Sequence, residues 1–93
     1  MEIVVNRCYG GYGLSDKAVK MMGFEDSFEA EEVKRDDPAL VATVRYLGSD
    51  KASGGYSELQ IVEIPDEATD WMVEEYDGFE TVFYVIDGKI HTK

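Results

Sequence analysis

The chain has 93 residues, of which nine are Lys or Arg and 20 are Asp or Glu, for a formal net charge of −11. Its 44% hydrophobic content supports one small core, not two domains, so residues 1–93 read as a single domain. So negative a surface repels phosphate backbones, which excludes general DNA or RNA binding, while 12% aromatic residues exclude a disordered acidic tail.

In chain order, Ile3-Val4-Val5 opens a short strand with apolar residues on both faces, as in a central strand. Tyr9-Gly10-Gly11-Tyr12-Gly13 breaks it. Ser15 caps a helix running to about Met22, with Leu14, Ala18, Met21 and Met22 as its apolar face and Gly23 as its stop. Phe24–Lys34 is acidic and reads as an irregular excursion anchored by Phe24, Phe28 and Val33. Asp37 and Pro38 start a second helix, with Leu40, Val41, Val44 and Leu47 as its stripe and Gly48 as its end. Asp50–Gly55 reads as a mobile loop.

The period then changes. Ser57–Ile64 reads as a strand stopped by Pro65. Trp71–Tyr76 and Phe79–Ile86 read as two strands joined by Asp77-Gly78, a strong hairpin signal. In the second, Thr81, Phe83 and Val85 point one way and Val82, Tyr84 and Ile86 the other, so both faces want cover. Asp87-Gly88 turns into a last edge strand over Lys89–Thr92. The expected fold is α+β, with two helices packed on an antiparallel or mixed sheet of four to five strands.

Charge is distributed unevenly. Residues 1–24 carry Glu2 and Asp16 against Arg7, Lys17 and Lys20, a sum of +1, and the remainder carries −12. A single cysteine, Cys8, allows no intrachain disulfide and fits a reducing cytosol. The start lacks the pattern of a signal peptide, and no apolar run approaches the roughly 20 residues of a membrane span, so a cytoplasmic protein is expected.

The first loop is the one candidate for a small anionic ligand. Arg7, Tyr9, Gly10, Gly11, Tyr12, Gly13, Ser15 and Lys17 combine glycine backbone, a helix start, basic groups and stacking rings, which suits a nucleotide-like molecule. The spacing is neither a Walker A loop nor a dinucleotide fingerprint, and the alternative is a tight structural turn. A ligand pocket in so short a chain would call for a homodimer. Cys8 is the only candidate nucleophile, and a Cys8–His91 dyad requires the last strand to pair beside the first. No catalytic set, cofactor or zinc pattern is otherwise present in the sequence. Glu74, Glu75, Asp77 and Glu80 crowd one hairpin and are the candidate partner-binding acids, with a solvated hairpin end as the ordinary alternative. Trp71, Tyr76, Phe79, Phe83 and Tyr84 read as core, with an exposed aromatic patch as the alternative.

Three separated blocks, Asn6–Ser15, Lys34–Val41 and Glu74–Glu80, resemble a family of short proteins encoded by phages and prophages. The C-terminal stretch Val85–Lys93 departs from the basic, aromatic tail of many such proteins. The resemblance carries over no functional residues. It implies a phage or mobile-element origin, action in an infected or lysogenic bacterial host, and a class of small acidic proteins that bind host machinery, including antiviral defence. Three functions are therefore expected in order: an inhibitor that binds a basic or nucleic-acid-binding host protein through its acidic surface, a sequestering protein for a nucleotide-like signal, and an enzyme using Cys8 or the hairpin carboxylates.

Overall fold

A computed structural model describes residues 1–93. Strand β1 (Glu2–Asn6) leads through the glycine-tyrosine loop to helices α1 (Asp16–Met21), α2 (Ser27–Glu31), α3 (Pro38–Leu47) and α4 (Ser49–Ala52). Strands β2 (Leu59–Glu63), β3 (Asp70–Tyr76), β4 (Phe79–Ile86) and β5 (Lys89–Thr92) follow. The fold class is α+β, as the change of period predicts, but with finer differences. There are four helices, not two, and the strands form two separate antiparallel sheets, β1-β2 and β3-β4-β5.

The sheets separate because β1 has an apolar face for each neighbour. On one side Val4 and Leu59 join Leu40, Val41 and Val44 of α3 and Ala18 and Val19 of α1 in the helical core. On the other, Ile3, Val5, Val62 and Ile64 meet Val82 and Tyr84 of β4. The result is three layers: helices, a two-stranded ribbon, and a three-stranded sheet. Ile3, Val4 and Val5 are all fully buried, so the strand is central although it pairs only with β2. Its other edge is covered by the segment before α3, where the Val4 amide donates to the Arg35 carbonyl at 2.8 Å.

Local rules account for the element ends. Ser15 caps α1 and accepts from the Ala18 amide, and Asp37 caps α3, accepting from the Ala39 and Leu40 amides. Both Asp-Gly turns have positive φ at each residue, 50° and 90° for Asp77 and Gly78, 51° and 75° for Asp87 and Gly88. That is the type I′ twist that antiparallel strands prefer.

Three expectations need correction. The region Phe24–Lys34 contains the short helix α2, and of its expected anchors Phe24 and Val33 pack against the helical core beside buried Ala30, while Phe28 is 78% exposed and anchors nothing. Of the expected face of α1, Leu14 and Ala18 are buried and Met22 packs on the helical core, but the buried side is centred between Ala18 and Val19, a helical phase that turns Met21 outward. The stretch expected to be a mobile loop holds α4, whose Ala52 is fully buried. No helix is long and apolar enough to cross a membrane.

Removing the α3 cap gives a direct check. Asp37→Ala should lower stability by about 1 kcal/mol in chemical denaturation, the usual cost of losing a capping carboxylate.

Candidate functional site

The chain has one buried polar knot, and it lies where the three layers meet. The Arg35 guanidinium forms a two-pronged ion pair with Glu80, at 2.6 Å to Oε1 and 2.8 Å to Oε2. Arg35 also donates to the Val4 carbonyl at 3.2 Å. Glu80 Oε1 accepts the Asn6 backbone amide at 2.7 Å. The Asn6 side chain, itself fully buried, donates to the carbonyls of Cys8 and Gly78 and accepts from the Glu58 amide. Beneath the guanidinium lies the Tyr12 ring, its centroid 3.4 Å from the Arg35 carbon. Asn6 and Tyr12, Arg35, and Glu80 come from three widely separated segments of the chain.

The knot explains Glu80, which the sequence groups with the hairpin acids. Only 3% exposed and committed to Arg35 and Asn6, its carboxylate is not presented at the surface. Tyr12 is the knot's cost. Its hydroxyl is buried with no partner, and burial pushes the phenol up to about 12, helped by the Glu80 and Glu31 charges and opposed by that of Arg35.

The loop from Arg7 to Ser15 is stitched to its own chain. The Leu14 amide is taken by the Glu31 carboxylate at 3.2 Å, and the Ser15 amide by the Ala52 carbonyl at 2.8 Å. The Gly13 carbonyl accepts from the Gly54 amide and the Ser57 hydroxyl. A Cβ on Gly10 would collide with the Tyr56 backbone carbonyl, so this glycine serves close chain packing. Gly11 has φ 102° with open space around it. Arg7 reaches the Lys93 carbonyl at 2.8 Å and lies over the Phe79 ring, against which Tyr9 also packs. Lys17 is exposed on α1. Cys8 is half-buried, and the condition for a Cys8–His91 dyad is not met: β5 pairs with β4, and the His91 ring stacks on Tyr84. No group of three or more His, Cys, Asp or Glu is placed to hold a metal ion.

The third feature bears on the aromatic residues of these strands, of which Tyr84 is buried as core while Tyr76 is 76% exposed. With Glu80, Val82 and Tyr84 turned inward, the alternate residues of β4 form an outer face that no layer covers. The ladder places Met72 opposite Phe83 and Val85 opposite Ile90, making an apolar strip across all three strands. Met72 is 53% exposed and Ile90 72%. Asp70 and Glu74 flank Met72 along the β3 side of this strip. A shallow groove of about 220 Å³ runs between these side chains. A second of about 280 Å³ shares Glu74 and Phe83 with it and continues toward Tyr9, Tyr76 and Phe79 at the hairpin end. Of the hairpin acids, Glu74 stands free on this face, Glu75 accepts the Gly78 amide, and Asp77 forms the turn.

The knot makes two measurable predictions. Glu80→Gln should destabilise the protein by about 3–5 kcal/mol by stranding the Arg35 charge, and Arg35→Met with Glu80→Leu should recover part of the loss but not all, since the Asn6 amide stays unpaired. For Tyr12, the folded phenol keeps its proton above the pH at which the unfolded one releases it. Stability therefore falls as pH rises from about 10 to about 12. An alkaline ultraviolet titration should show one of the six tyrosines ionising last, and Tyr12→Phe should abolish that step.

Comparison of the chain with protein-family models, with curated proteins and with solved structures returns no match.

Proposed function

We propose that this protein is a non-catalytic binding module that captures a basic protein on the outer face of its three-stranded sheet. The observation that carries this reading is the strip Met72–Phe83–Val85–Ile90, uncovered in the chain and flanked by the carboxylates of Asp70 and Glu74. Apolar contact area supplies affinity there, and the acids, within a net charge of −11, supply attraction and orientation toward a cationic partner. The resemblance to short phage and prophage proteins supports a host protein as that partner and inhibition of a defence system as the consequence.

Sequestration of a nucleotide-like anion at Tyr9–Ser15 has less support. Several of the donors and glycines it would use are engaged within the chain, at Leu14, Ser15 and Gly10.

The test is capture from a bacterial host lysate by the immobilised chain. A basic partner should be retained at low salt and released as salt rises, because screening weakens the attraction. Glu74→Lys and Met72→Lys, both at exposed positions, should lose the same partner by at least tenfold. A partner retained equally by both variants would place the binding surface elsewhere and overturn the proposal.

A further inference from the structure

We infer that the occupant of the outer face is a single amphipathic helix lying along β4, with its basic flank over β3. This rests on the protein-binding reading above and adds the shape and orientation of the partner.

The sheet edges are partly guarded, which makes addition of a partner strand less favourable than docking on the face. On β3 the Trp71 amide, which points away from β4, is taken by the Asp70 carboxylate at 2.8 Å. On β5, Lys89 lies at the start of the edge and Lys93 just past its end, a common way of blocking strand addition. What remains open is the face itself.

The width of that face suits a helix. Three strands place the outer two about 10 Å apart, close to the diameter of one helix with its side chains. The length agrees as well. Beyond Phe79, which Arg7 and Tyr9 already cover, Thr81, Phe83 and Val85 alternate along the outer side of β4, a run of about 13 Å that matches about nine helical residues. A second copy of the chain fits poorly, because each copy would bring Asp70, Glu74 and a charge of −11 to the same contact.

Orientation follows from charge. Both outer-face acids are on β3, whereas β5 presents Ile90 and Thr92 to this face. Asp70 and Glu74 are separated by four strand steps, about 13 Å, which basic side chains two helical turns apart can span. The partner segment should therefore carry apolar residues at helical spacing and Lys or Arg at i and i+7 on one flank.

Two synthetic 15-residue peptides of identical composition test this. One places its apolar and basic residues at helical period, the other alternates them at period two. Each is titrated into the full chain, with peptide helicity followed by circular dichroism and the chain's amides by NMR. The helical-period peptide should bind at least tenfold more tightly, gain helicity, and shift Met72, Phe83, Val85 and Ile90. Asp70→Asn with Glu74→Gln should weaken it severalfold. Equal or tighter binding of the period-two peptide would overturn the helix and leave the basic-partner reading intact. If neither peptide binds while lysate capture yields a partner lost on Glu74→Lys, the helix again falls alone. If neither peptide binds and no such partner is captured, both inferences fall.

Discussion

The pairing of Arg35 with Glu80 is the constraint on which the rest of the molecule depends. It joins the segment before α3 to β4, and through the Val4 carbonyl and the Asn6 amide it takes in β1 as well. Removing these charges from water is costly, and the cost is offset only because the geometry is two-pronged and the remaining acceptor capacity of Glu80 meets a backbone amide. An apolar interface between the ribbon and the outer sheet could slide, whereas a buried carboxylate has one partner that satisfies it. Tyr12 completes the arrangement by giving the guanidinium a ring face to lie on.

This knot also sets what the surface can do. With Glu80 turned inward, β4 is fixed in phase, and Phe79, Thr81, Phe83 and Val85 must occupy the other side. The uncovered apolar strip is thus the direct consequence of the buried ion pair. The same knot pins the glycine-tyrosine loop over the hairpin tip, where Asn6 holds the carbonyls of Cys8 and Gly78 together. Gly78 permits this approach, since a Cβ there would meet the Gly11 nitrogen and the Tyr9 carbonyl, and Gly10 packs equally closely on Tyr56, so part of a ligand-like sequence pattern resolves into chain packing.

Parts of this were legible in the residues alone. Alternation along β4 puts Glu80 in phase with Val82 and Tyr84, so its burial was open to inference from the same period that identified the strand. Glu74, Glu75 and Asp77, its three acidic neighbours at the hairpin, obscure it by inviting a reading of all four as one solvated group. Arg35 carried no such signal, because it lies in an irregular segment with no period to assign it a face. Two of the four helices lack a sequence signal for a related reason. Helices α2 and α4 have five and four residues, too few to establish a 3.6-residue period, and they persist by docking Ala30 and Ala52 into the core.

What the sequence determined by itself is whatever depends on neighbours in the chain or on simple sums over it: the α+β class, the Asp37-Pro38 helix start, the two Asp-Gly turns, and the net acidity. These follow from local sterics, capping and summed charge, which need no tertiary partner. The tertiary structure decided which apolar face meets which. The division of the strands into two sheets, the partner of Glu80 some 45 residues away, and the face left uncovered all depend on contacts between distant segments. A residue's period says that it has a face, and only packing says what that face touches.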